Sequence, residues 1–302
     1  MLKTTNILAL VGGGKKPKFQ QNKIIIWDDS KCKVISELRF NNNVLNVKMK
    51  MDRIIGICEE KIYIFNINTL DTIDMLNTYP NPNGIVGLSS GDLISVLAFP
   101  FEEKGKVRLV NFNSLAQPPI ITAHESGVAC LSVNQNGTLL ATASDKGTLI
   151  RVFNISNGKL LTELRRGSKN AEINCIAFDE QNKFVGCASD SGTIHIFSIV
   201  SAMKILDENY YADEINEEPQ NQKSFLYKFS FIKQMSNSYL NSEWSFAKFR
   251  IPEHKSIFAF LKNNIITVLT SDGRYYTSSF DPKKPGECEK IDCKYIYDSN
   301  KK

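Results

Sequence analysis

Ala143-Ser-Asp-Lys-Gly-Thr-Leu-Ile-Arg-Val-Phe153 returns further along the chain as Ala188-Ser-Asp-Ser-Gly-Thr-Ile-His-Ile-Phe197. Ser144 to Ser189 and Gly147 to Gly192 are each separated by 45 residues. Both copies read as a polar turn with glycine followed by a run of β-branched residues closed by an aromatic, which is strand chemistry after a tight turn. Leu164-Arg165-Arg166-Gly167 lies on the connection between them.

Outward from this pair, the same strand ending recurs at Lys23-Ile-Ile-Ile-Trp27, Lys61-Ile-Tyr-Ile-Phe65 and Lys106-Val-Arg-Leu-Val-Asn-Phe112. From Trp27 the closing aromatics step by 38, 47, 41 and 44 residues, to Phe65, Phe112, Phe153 and Phe197. A period of this length with several short strands per unit is the signature of propeller blades. Each blade is expected to end its third strand at the aromatic, which belongs to the core, and to add a fourth, as at Leu160–Leu164. Asn136-Gly137, Asn157-Gly158, Asp190-Ser-Gly192 and Asp272-Gly273 supply the turns. The reading is all-β: a WD40-like β-propeller of about six blades, with residues 1–302 as one domain.

The rhythm breaks after Val200. Residues 200–238 are expected to form a partly disordered loop inside one blade, because Asp207 to Glu218 holds six acids and little to bury. Ser224 to Met235 is richer in aromatics; Phe225, Tyr227, Phe229 and Phe231 share a face at strand period, and the helical pattern is poorer. Strand-like sequence resumes at Trp244–Ile251, and Ser256 to Phe280 finishes the last unit, ahead of a charged tail.

The remaining composition narrows the class. Five apolar residues before Gly12-Gly13-Gly14 are too few for a signal-peptide core, and no run of 18 apolar residues is present for a spanning helix. Seven scattered cysteines with three histidines and no C-x-x-C argue against a metal site. Cys130, Cys175 and Cys187 read as buried thiols. No phosphate-loop glycine motif occurs, and no nucleophile is paired with a base, so neither catalysis nor a cofactor is expected. The formal charge of +5 favours anionic partners, but without a dense basic stripe interleaved with aromatics nucleic acid is not among them.

The repeat itself suggests chemistry. Neighbours on a strand point to opposite sides, so Arg165 and Arg166 are expected to face different clefts between blades. Ser144, Lys146, Thr148 and Arg151, with His124, would accompany Arg165. Ser189, Ser191, Thr193 and His195, with Lys169, would accompany Arg166. Guanidinium, ammonium and hydroxyl donors together form the set a phosphate needs. Asp145 and Asp190 are read as braces of their turns. From glycine to aromatic the first copy has seven residues and the second six. A β-bulge near Leu149 or Ile150 is therefore expected, which would bring Thr148 and Arg151 to one side. The plainer readings are solvated rim arginines and hydroxyls bonded within their own blades.

At the arginine pair the sequence resembles the PROPPINs, seven-bladed β-propellers with the hallmark [Phe/Leu]-Arg-Arg-Gly. The resemblance extends to Ala9–Gly14 with Lys23–Asp29, Leu97–Pro100, Ala123-His124, Ala141–Phe153, Gly192–Phe197 and Glu243–Phe249. It implies recognition of phosphatidylinositol 3-phosphate and phosphatidylinositol 3,5-bisphosphate at two rim sites, Arg165 serving the first and Arg166 the second. It also implies a membrane-inserting loop in the place of 200–238. The implied role is peripheral recruitment of autophagy lipid-transfer and conjugation machinery to phagophore, endosomal or vacuolar membranes. Two departures stand out: the chain begins where the family's second blade begins, and Ser191 stands where relatives often carry a basic residue. The competing expectation is a propeller that binds proteins without lipid.

Overall fold

The computed structural model describes residues 5–206, 219–222, 243–253 and 255–296. Its strands form six sheets, taken in chain order by successive stretches of sequence. The first has three strands, β1 (Ile7–Val11), β2 (Lys23–Asp28) and β3 (Lys33–Arg39). The second contains β4 (Asn46–Met49), β5 (Arg53–Ile57), β6 (Lys61–Asn66) and β7 (Thr72–Asn77). The third contains β8 (Gly87–Leu88), β9 (Val96–Pro100), β10 (Lys106–Asn111) and β11 (Ile121–Thr122). In the third, the outermost strand is cut short by Pro118-Pro119, which offer no N–H to a ladder. The Gln117 side-chain amide takes over there, accepting from Asn111 N–H at 2.8 Å and donating to its carbonyl at 3.2 Å.

The fourth sheet is built from β12 (Val128–Val133), β13 (Leu139–Ser144), β14 (Leu149–Asn154) and β15 (Leu160–Arg165). The fifth begins with β16 (Ile173–Phe178), β17 (Phe184–Ser189) and β18 (Thr193–Ser198), after which the chain turns into a short helix, α1 (Val200–Leu206). The expected loop thus opens with about two helical turns; the acidic stretch and Ser224–Met235 lie outside the described residues.

Beyond the insertion the chain is shared between neighbours. β19 (Glu243–Trp244) pairs in parallel with β15 of the fourth sheet, and β20 (Ala247–Arg250) then crosses to become the fourth strand of the fifth. The sixth sheet contains β21 (Ser256–Phe260), β22 (Ile265–Thr270), β23 (Arg274–Ser279) and β25 (Glu289–Tyr295). Between its last two strands, β24 (Gly286–Glu287) returns to pair with β20. Much of the expected charged tail is therefore an outer strand: alternation of Tyr275 and Thr277 with partners Lys294 and Asp292 gives it a ladder despite its charge.

Five apolar clusters bind consecutive sheets face to face. Between the fourth and fifth, Ala141, Ile150, Val152 and Leu164 pack on Ile173, Val185, Cys187 and Phe197. Phe65, Phe153 and Phe197 are buried as the repeat predicts. Trp27 and Phe112 are only half-buried, the latter capped by the Arg53 guanidinium at 4.1 Å from the ring centre. The innermost strands of sheets two to six line a central channel of about 1120 Å³. Cys130 and Cys175 are half-buried on its wall, Cys187 is fully buried, and burial pushes the Cys187 thiol up to about 12.

The bulge expected near Leu149 is absent. β14 pairs regularly with β13 from Ile150 to Asn154 and with β15 from Leu149 to Val152. The additional residue of the first copy sits in the turn instead: Ala143 pairs with Ile150, whereas Ala188 pairs with Ile194. A turn absorbs a residue without breaking a ladder, so Thr148 lies outside the strand and Arg151 and His195 keep equivalent register. The register shift that does occur on this ladder comes between Val152 and Phe153, with Leu161 as the extra residue of β15.

Candidate functional site

Arg165 closes β15 and pairs with Leu149, and Arg166 follows at the strand's end. Leu164 is wholly buried against the fifth sheet. By pleat alternation Glu163 and Arg165 belong to the opposite face, towards the third sheet, and Arg166 returns to the fifth. Both arginines are buried, at 8% and 7% exposure, so neither is a solvated rim charge.

The first cleft lies between the third and fourth sheets. Thr142, Arg151 and Glu163 stand opposite one another across three strands. His124, arriving just after β11, brings Nε2 within 3.0 Å of Thr142 Oγ1. Arg151 donates through one terminal nitrogen to the Ala123 carbonyl at 2.7 Å, and through Nε and its other terminal nitrogen to Glu163, each at 2.9 Å. Burial, followed by the Arg151 charge, pushes His124 down to about 4. Ser144 is buried two residues beyond Thr142 on the same face, while Lys146 is exposed on the turn. The neighbouring Asp145 lies 3.9 Å from Lys104.

The second cleft lies between the fourth and fifth sheets. Arg166 Nε donates to the Gly147 carbonyl at 2.8 Å, a terminal nitrogen donates to the Lys169 carbonyl, and its own amide donates to the Thr148 carbonyl at 2.9 Å. Thr148 and Lys169 thus hold Arg166 through their backbones; the Lys169 side chain is exposed. Cys187, His195 and Lys248 stand opposite one another, and Thr193 stands opposite Arg250. Ser189 is buried with Oγ 2.7 Å from Ser191 Oγ, and Asp190 accepts the Glu172 amide at 3.1 Å, bracing its turn. His195 Nδ1 is 3.1 Å from Ser245 Oγ. Burial first, then the charges of Lys248, Arg166 and Arg250, push His195 down to about 3.

The candidate residues therefore fall into two groups, with His124, Ser144, Arg151 and Arg165 in one and Arg166, Ser189, Ser191, Thr193 and His195 in the other. The motif reading missed four further members. Glu163 stands two residues before Arg165, where strand period alone would have placed it on the same face. Ser245, Lys248 and Arg250 come from beyond the insertion, within the stretch Trp244–Ile251 that already read as a strand.

The clefts differ in charge. In the first, the Arg151 guanidinium is bonded to a carboxylate of the same chain; in the second, Arg166 and Lys248 face one buried imidazole, while the exposed Arg250 is bridged to Glu287 at 3.5 Å. A polyanion entering the second replaces lost hydration and relieves that mutual repulsion. The sequence model of the PROPPIN family matches residues 5–297.

The chain belongs to the PROPPIN family. It is 32% identical over 302 residues to Autophagy-related protein 18e of Arabidopsis thaliana, an alignment covering 98% of this chain and 75% of that protein. Among solved structures, KlAtg21 in complex with the coiled-coil of AgAtg16 superposes with a TM-score of 0.75 at 23% identity, over 98% of this chain and 84% of that one. Kluyveromyces lactis Hsv2 gives 0.73 at 21%, over 98% and 86%. These superpositions identify the sheets of this PROPPIN as blades of a β-propeller. Its family is one of non-catalytic scaffolds, and it is a scaffold of that kind.

Proposed function

We propose that this PROPPIN is a membrane-recruited autophagy scaffold that reads phosphatidylinositol 3-phosphate and phosphatidylinositol 3,5-bisphosphate through two clefts on its rim. The observation that carries the reading is that Arg165 and Arg166 are both buried at the end of one strand, with the Arg166 charge felt by the buried His195; strand alternation turns Arg165 to the face that carries Ser144 and Arg151. Guanidinium, hydroxyl and imidazole groups are the donor types that inositol phosphate oxygens accept from. Two headgroups held by one rigid body multiply weak affinities through effective concentration. Lysines and arginines close to an anionic leaflet add about 1 kcal/mol each.

The docking half of the proposal rests on similarity. KlAtg21 was solved with a coiled-coil of AgAtg16, and a matching propeller supports a role in bringing conjugation machinery to phagophore, endosomal or vacuolar membranes.

Flotation with liposomes tests the lipid reading. Wild type is expected to float with vesicles containing either phosphoinositide and not with phosphatidylinositol alone. Arg165→Ala or Arg166→Ala should weaken flotation and the double variant should abolish it. Full flotation by a folded double variant would overturn the assignment.

A further inference from the structure

The second cleft is completed by a strand pair, β19 and β20, to whose entry one side chain adds three hydrogen bonds. Asn221, within the insertion and 22 residues before Glu243, donates through Nδ2 to the Ser198 carbonyl and to Glu243 Oε2, each at 2.6 Å, and accepts the Ser198 amide at 2.7 Å. It therefore acts on Ser198 as an additional strand would, while binding the side chain that opens β19. The adjacent Gln222 carbonyl accepts the Trp244 amide at 2.9 Å.

This small clamp leads directly to the anion groups. Glu243 and Trp244 lie in register with Leu164 and Arg165. The next residue, Ser245, reaches His195, and the Phe246 amide donates to the Ile196 carbonyl at 2.8 Å. Two residues later Lys248 stands opposite His195. The side-chain bonds of Asn221 go to Ser198 and Glu243, outside both clefts, yet they fix where the segment carrying Ser245 and Lys248 leaves the fourth sheet for the fifth.

We propose that Asn221 is a positioning residue for anion binding in the second cleft, acting through Glu243 and the Trp244-Ser245 backbone. This rests on the reading of that cleft as an inositol phosphate site. The sheets themselves do not depend on the clamp, because the fourth and fifth are packed through Leu164, Val185 and Phe197 and the fifth and sixth through Phe246 and Phe258. Losing it is expected to loosen the cleft without unfolding the blades.

The test is calorimetric titration of the full chain with inositol 1,3-bisphosphate, alongside thermal melting. Asn221→Asp keeps the shape, removes both donated bonds and sets a carboxylate against Glu243. An affinity about tenfold weaker is expected, as for two lost hydrogen bonds to or from polar and charged partners. Adding Glu243→Gln to Asn221→Asp supplies the new carboxylate with a donor and should bring affinity back to within about threefold of wild type. Glu243→Ala, which removes only one of the bonds, should weaken binding by a smaller factor and serves if Asn221→Asp does not fold. Equal affinity for wild type and Asn221→Asp, with binding still lost in Arg166→Ala, overturns the positioning role and leaves the cleft assignment standing. Equal weakness of the single and double variants also overturns it. Failure of wild type to bind the inositol phosphate overturns both.

Discussion

Arg151 and Glu163 face each other across β14 and β15 with two nitrogen–oxygen contacts of 2.9 Å. The repeat position that supplies His195 to the second cleft thus supplies the first with an arginine already bonded to its own protein. Glu163→Gln removes the charge and leaves the shape. Affinity for a soluble inositol phosphate is expected to rise about threefold to tenfold through the first cleft, with little change in melting temperature, since partly exposed ion pairs add at most about 1 kcal/mol. An unchanged affinity in an Arg166→Ala background, where the first cleft acts alone, would show that Glu163 does not compete with phosphate.

Lys248 stands opposite His195 and contributes, after burial, to keeping that imidazole neutral. Lys248→Ala should weaken phosphoinositide binding severalfold and reduce its salt dependence. The same variant should move the His195 titration upward from about 3, as followed by NMR. Loss of binding with an unmoved His195 would mean that Lys248 acts elsewhere.

Both histidines are held below their ordinary value, His124 at about 4 and His195 at about 3. Between the unfolded value near 6.5 and these folded values, the unfolded chain binds more protons. Stability therefore falls as pH drops through that window and is insensitive to these groups above it. At pH 5 the loss is roughly 2 kcal/mol per histidine. Urea unfolding at about pH 7.5 and about pH 5 should show it, and His124→Asn should flatten the slope; an unaltered slope would contradict the burial assignment.

Gly147 has φ of +60°, and a Cβ there would overlap the Ala171 carbonyl oxygen. Its own carbonyl accepts Arg166 Nε. Gly147→Ala should cost about 3 kcal/mol or more in chemical unfolding, because a left-handed backbone and a clash with main chain act together. It should also impair lipid flotation more than Gly137→Ala, which carries a similar φ and meets only side chains.

Most blade strands were legible because each depends on local pattern: strand period, turn residues and the alternation of faces. The bulge expected near Leu149 failed because residue counting cannot distinguish a longer turn from an interrupted ladder. Phe112 packs against the core only partly buried, because its place in the repeat lies just past the end of β10 and faces Arg53. Glu289–Tyr295 was hidden by its charge, since an outermost strand needs backbone partners more than buried side chains. Ser245 and Lys248 escaped the site reading because an insertion of low sequence similarity to the repeats separates them from His195; only pairing across β18 and β20 brings them together.

The interleaving of β19, β20, β24 and β25 divides the molecule into two mechanical regimes. Sheets one to three are each woven from one continuous stretch and share no strand with a neighbour. The last three exchange edge strands, and peeling one open must tear hydrogen bonds from the next. In the half that carries the arginine pair, a pull on one sheet is thereby passed to the next through the strands they share.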